Sequence, residues 1–172
     1  MTVPEFSRTL DTRQLPASPV ALSATPEECA ALAARFGLVA LPRLDARVTL
    51  APSGAAIVAS GRLCAELVQS CAVSGEDLPV TIDEPFALRF VPAAAGRPSP
   101  PEEVEIAPTD PDEIAFEGST IELGEALAQS LALAIDPYAT GPQADAVRDA
   151  HGLGDEGAAG PLAEALRALK RG

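Results

Sequence analysis

From Arg43 to Gln69 the chain reads RLDARVTLAPSGAAIVASGRLCAELVQ, two stretches of alternating apolar and polar residues separated by a tight APSGA. Side chains alternate faces along a strand, so Leu44, Ala46, Val48 and Leu50 share one face and Arg43, Asp45, Arg47 and Thr49 the other. The second stretch sets Ile57, Ala59, Gly61, Leu63, Ala65 and Leu67 against Ser60, Arg62, Cys64, Glu66 and Ser70. Two half-buried strands joined by a short turn make a β-hairpin, and its dry face must be covered by another layer. After SGEDLP a third run places Leu78, Val80, Ile82, Phe86, Leu88 and Phe90 on one face, with Thr81, Asp83 and Arg89 opposite. Short connections between successive strands predict an antiparallel meander, with Pro85 at a bulge or an edge.

The covering layer is helical. In SATPEECAALAARFG, Thr25 is the candidate N-cap, Pro26 the first helical residue, Glu28 the closing member of a capping box and Gly37 the C-terminal cap. Its apolar stripe is Cys29, Leu32, Ala33 and Phe36. A second helix is predicted from about Glu122 to Ile135, with Leu123, Leu127, Leu131 and Ala134 as its stripe, widened by Ala126 and Ser130. Gly124 costs that helix about 1 kcal/mol relative to Ala, and Pro137 prevents its continuation. Glu122 and Glu125 at its start are explained by the dipole and by capping. Short strands are expected in PEFSRTLDTRQL and around Ile114 to Phe116. Residues 92–112, with six prolines and little apolar periodicity, read as a mobile loop.

The fold class is therefore α+β: a curled antiparallel sheet packed against two main helices, with a mobile acidic loop and a C-terminal helix. Residues 1–138 form one domain, 139–160 a linker, and 161–172, PLAEALRALKRG, an amphipathic tail too short to hold its helix alone in water.

The three cysteines do not form an obvious site. Along one continuous strand Cys64 and Cys71 lie roughly 23 Å apart on opposite faces, whereas disulfide α-carbons usually lie within about 7 Å. Zinc needs thiolates two to four residues apart with further Cys or His, and His151 is the chain's lone histidine. Cys29 and Cys64 are read as small apolar residues in a reducing cytosol. No cofactor or metal is expected. The chain shows no nucleophile elbow, P-loop or dinucleotide fingerprint, so an enzyme is not expected either, nor a small-molecule substrate.

Charge narrows the partners. The net charge is −13, and between Pro98 and Glu125 there are nine acids (Glu102, Glu103, Glu105, Asp110, Asp112, Glu113, Glu117, Glu122, Glu125) and no Lys or Arg. Tight phosphate binding needs clustered basic residues, so a basic protein fits better, although a solvated acidic loop accounts for the same pattern. Neither a membrane-spanning run nor a signal-like N-terminus is present, which predicts a cytoplasmic protein.

Four stretches in order, ELVQSCAVSGEDLPVTIDEPFALRF, the acidic gap, STIELGEALAQSLALAIDPYA and GPLAEALRALKRG, resemble the YceD family, the large ribosomal RNA subunit accumulation proteins of bacteria and plastids. The likeness is strongest to the alphaproteobacterial type, in which a Q-C-V-V-T strand end and a DPYPR helix end recur. It spans roughly Pro4 to Tyr138 plus the tail. The resemblance implies a non-catalytic role in accumulation of the large-subunit RNA and in ribosome assembly, through ribosomal RNA or a basic ribosomal protein. It points to Gln69, Cys71, Asp136, Pro137 and Tyr138 as partner-contact residues, since these match recurring family positions. Many relatives carry a C-x-x-C at the strand end and later cysteines. Cys71 matches the first, Ser74 replaces the second, and the later ones are missing. Packing competes as an explanation, because Asp136-Pro137 is also a helix-stop signal and Cys71 continues the buried odd face. An acidic adaptor unrelated to the ribosome is the alternative function.

Overall fold

The computed structural model describes residues 4–93 and 111–152. The acidic segment 94–110 and the tail 161–172 lie outside the described residues. The elements in chain order are β1 (Thr9–Asp11), β2 (Val20–Ser23), α1 (Pro26–Phe36), β3 (Ala40–Ser53), β4 (Ala56–Ser70), β5 (Asp77–Pro92), β6 (Asp112–Phe116), β7 (Thr120–Glu122), α2 (Leu123–Ala134) and α3 (Ala144–Ala150). The chain is α+β, with an open, mostly antiparallel five-stranded sheet in the order β2-β3-β4-β5-β6 and a separate antiparallel pair β1-β7. Backbone proximity divides it into two compact units. One holds the described residues up to Gln69 together with those of Pro79–Asp136, and the other holds Ser70–Leu78 and the described residues from Pro137 onward.

In the larger unit, the long hairpin follows the alternation of its sequence. Leu44, Ala46, Val48 and Leu50 are buried, and so are Ile57, Ala59, Leu63, Ala65 and Leu67. Leu41 is also buried although its parity is odd, because a register shift between Ala40 and Arg43 resets the alternation. The other face stays wet, with Arg43 opposite Glu66, Asp45 opposite Cys64 and Arg47 opposite Arg62. Cys64 is thus half-exposed on the open face, not a core residue. The core beneath the sheet takes Cys29, Leu32 and Ala33 from α1 and Leu123, Ala126, Leu127, Ala128 and Leu131 from α2. Phe6 and Phe90 are its largest fully buried side chains.

Two features depart from a simple meander. β2 adds a strand before α1, pairing antiparallel with β3. β6 pairs with β5 in parallel, Leu88 opposite Asp112 through Pro92 opposite Phe116. A parallel neighbour needs a crossover connection of about a dozen residues or more, and the proline-rich stretch between these strands supplies that length. The Ala93 N–H donates to the Phe116 carbonyl at 2.8 Å, so odd-numbered positions of β5 aim their amides toward β6. Pro79 and Pro85 share that parity, while β6 pairs only from Leu88 onward. Two ladder donors are therefore missing along the stretch that β6 leaves uncovered, which blunts it as a template for another strand. Pro85 marks an edge.

The two helices are tied to the amino-terminal segment. Thr25 and Glu28 form the capping box, with Thr25 N–H donating to Glu28 Oε2 at 2.8 Å and Glu28 N–H to Thr25 Oγ1 at 3.3 Å. Arg8 grips the same Glu28 carboxylate with both terminal nitrogens, at 2.7 and 2.8 Å, and its guanidinium lies 4.5 Å from the centroid of the Phe6 ring. Glu122 does not cap α2 with its side chain; its carboxylate accepts the Ser7 hydroxyl at 2.8 Å and the Arg8 amide at 2.5 Å. The Leu123 N–H then donates to the Arg8 carbonyl at 3.0 Å, satisfying an amide of the first helical turn. In the smaller unit, α3 occupies part of the stretch 139–160 that reads as a linker in the sequence.

At Gly124 an added Cβ would collide with the Phe6 carbonyl oxygen and come 2.8 Å from the Arg8 nitrogen. Helix propensity alone predicts that Gly124→Ala stabilises by about 1 kcal/mol. The close approach reverses the sign, and the expected result is a loss of about 1–3 kcal/mol from overpacking. Urea denaturation of the variant decides between them through the shift of its midpoint.

Candidate functional site: a strand end, a helix end and a thiol nest

The five sequence-selected positions divide between the two units. In the larger one, Gln69 lies on the dry face of β4 and is 7% exposed, and its side-chain amide donates to the Asp136 carbonyl at 2.8 Å. Asp136 follows Ile135, the C-cap of α2. A buried amide without a partner costs about 1–3 kcal/mol, so this bond fixes the end of the strand to the end of the helix. Gln69 therefore has a structural duty whatever else it does.

In the smaller unit, Cys71 is 4% exposed and opens a tight turn. Its N–H donates to the Glu76 carbonyl at 2.8 Å, and its own carbonyl accepts the Gly75 N–H at 3.0 Å. The Ala72 N–H reaches the Ala139 carbonyl at 2.9 Å, joining the turn to the segment after Pro137 and Tyr138. Three backbone amides converge on Cys71 Sγ: Ser74 and Gly141, each at 3.3 Å, and Val73 at 3.5 Å. Glu76 Oε1 supports both arms, accepting the Ser74 hydroxyl and the Gln143 N–H at 3.0 Å each. An added Cβ at Gly141 would meet that carboxylate oxygen, so a larger residue there would displace the Glu76 side chain. Pro137 and Tyr138 are exposed, Tyr138 to 80%.

The nest changes the chemistry of the sulfur. When the Ser74 hydroxyl turns its one proton from Glu76 to the sulfur, it and the amides of Ser74, Gly141 and Val73 favour the thiolate and bring the Cys71 thiol down to about 6. The other two cysteines move the opposite way. Burial pushes Cys29 up, and Cys64 is raised by the Asp83 carboxylate to which its thiol donates at 3.3 Å. The family resemblance pointed to Cys71 and noted Ser74, but nothing in the sequence pointed to Glu76, Gly141 and Gln143. Their roles are carried by one backbone amide each and one carboxylate, which leave no residue-type pattern to read.

Among the described residues no three His, Cys, Asp or Glu side chains are placed to hold a metal ion. Basic groups there are also largely spoken for. Arg8 pairs with Glu28, Arg13 with Asp11, Arg35 with Glu5 and Glu125, and Arg148 with Asp145. On the open sheet face, Arg43 pairs with Asp45 and Glu66, Arg62 with Asp83, and Arg89 with Glu113. Within that set Arg47 alone has no ion pair. No helix among the described residues is long and apolar enough to cross a membrane. No protein-family model, curated protein or solved structure matches this chain.

The thiol's position makes stability depend on pH. A folded-state value of about 6 lies below the roughly 8.5 of a free thiol, so the thiolate's stabilisation is complete above the unfolded value and is lost as pH falls through about 6. Relative to Cys71→Ser, the wild-type urea midpoint is expected to hold its largest advantage near pH 9 and to lose it toward about pH 5. A gap between the two that does not vary with pH would contradict the thiolate nest.

Proposed function

We propose that this protein is a non-catalytic, cytoplasmic factor that supports accumulation of large-subunit ribosomal RNA and assembly of the large ribosomal subunit. The observation that carries the proposal is the fixing of the resemblance-bearing motifs to one another within each unit: Gln69 to Asp136 in one, and the Cys71 turn to Ala139 and Gly141 in the other. Segments far apart in the sequence are thereby held in defined geometry, which suits a recognition surface that includes Pro137 and Tyr138.

Charge favours a basic ribosomal protein over direct contact with RNA. Phosphate recognition depends on several free Lys or Arg groups acting together. Of the described guanidiniums, seven have an internal carboxylate partner, and the chain carries −13 overall. An acidic surface approaches a basic protein faster and more selectively than it approaches a nucleic acid.

Affinity purification from native lysate, with and without ribonuclease, tests both parts. A basic ribosomal protein that stays bound after ribonuclease treatment is the expected result, together with a lowered ratio of large- to small-subunit RNA in cells lacking the gene. Unchanged RNA levels, with a bound partner foreign to the ribosome, would make the protein an acidic adaptor instead.

A further inference from the structure

The larger unit carries a cleft between β6, β7 and the first turns of α2, about 250 Å³ in volume. Its accessible apolar surface comes from the half-buried Ile114 and Phe116, with the buried Phe90 behind them, and its rim from Glu117, Glu122 and Glu125. Ligand pockets for drug-sized molecules run to about 300–1,000 Å³, so this space suits one long side chain better than a whole organic ligand.

The three carboxylates are not equivalent. Glu125 is neutralised by Arg35, which reaches both of its oxygens at 2.8 Å. Glu122 accepts only neutral donors, the Ser7 hydroxyl and the Arg8 amide, because the Arg8 guanidinium is committed to Glu28. Glu117 is exposed and has no ion pair among the described residues. Arg8 still attracts Glu122 at longer range, but among the described residues the cleft keeps a net negative charge beside an aromatic and aliphatic surface. An anion would be repelled from it. A neutral apolar group would strip water from Glu122 without replacing it. A metal ion would need convergent ligands, and no such group of three exists among the described residues.

We propose that this cleft seats a lysine or arginine side chain of the basic protein partner, its methylene stem against Ile114 and Phe116 and its cationic head on Glu117 and Glu122. Long basic side chains bury their stems along apolar surface while keeping the charge on a polar rim, and aromatic rings add a further attraction for the cation. The assignment rests on the reading that the partner is a basic protein, and names where that partner is anchored.

The probe is Nα-acetyl-lysine methylamide, titrated at millimolar concentrations into the isotopically labelled full chain and followed by amide chemical shifts. Nα-acetyl-norleucine methylamide, which has the same stem without the charge, serves as control. Saturable shifts centred on Phe116, Glu117, Thr120 and Gln129 are expected, with the control weaker by about tenfold or more. Glu117→Lys, at an exposed position with no ion pair among the described residues, and Thr120→Trp, which fills the space, should each reduce probe binding by a similar factor while leaving the thermal melt in place. Shifts scattered over acidic residues elsewhere, an equal response to norleucine, or variants that bind the probe normally would overturn the assignment. In the lysate experiment, a basic partner recovered equally well by Glu117→Lys would remove the cleft and spare the ribosomal role. A wild-type protein that recovers no basic partner would remove the role, and the probe titration would still judge the cleft.

Discussion

The larger unit depends on how three residues, Phe6 to Arg8, are held. Arg8 uses its side chain on α1, through the Glu28 carboxylate that also closes the capping box, and its backbone on α2, through Glu122 and Leu123. Phe6 is 1% exposed beneath it, and Gly124 lets the helix approach the Phe6 carbonyl. Each contact alone is modest, since charge-assisted hydrogen bonds contribute about 1.5–3 kcal/mol. Together they set where both helices begin. The sheet's dry face is covered because those starting points are set.

Polar satisfaction organises the molecule as much as apolar burial does. The Gln69 amide, the Cys71 sulfur and the Glu76 carboxylate each close a turn or a chain end on backbone groups. The same economy governs the guanidiniums, most of which are engaged by nearby carboxylates. Among the described residues the charge left without an internal partner is consequently mostly acidic. The rim of the β6-β7-α2 cleft shows this locally, with Glu125 satisfied by Arg35 and Glu117 exposed.

Much of the fold was legible where one local rule dominates. The alternation from Leu44 to Leu67 placed the hairpin, and Thr25, Pro26, Glu28 and Gly37 placed α1 with both ends correct. The strands β2 and β7 were not legible, because four and three residues are too few for periodicity to show. The parallel pairing of β6 was hidden for another reason: nothing in DEIAF distinguishes a parallel from an antiparallel neighbour. Glu122 stands at the N-cap of α2 as expected, but its carboxylate turns instead to Ser7 and Arg8, whose distance along the chain hides them from local reading. At the candidate site, the positions Gln69, Cys71, Asp136, Pro137 and Tyr138 came from resemblance, whereas the donors around Cys71 are backbone amides and carry no side-chain signature.

The pairing of β1 with β7 also orders events in time. Arg8 and Glu122 are 114 residues apart, and closing a loop of that length costs about 4 kcal/mol in chain entropy. At about 5–20 residues per second of synthesis, Arg8 is made roughly 6–23 s before Glu122. Its side chain has a nearer partner in Glu28, only 20 residues on, while its backbone groups have none until α2 arrives. The amino-terminal strap is thus tethered to the first helix early and locked by the second late. A nascent chain halted anywhere before Glu122 holds Phe6 with no second helix to cover it.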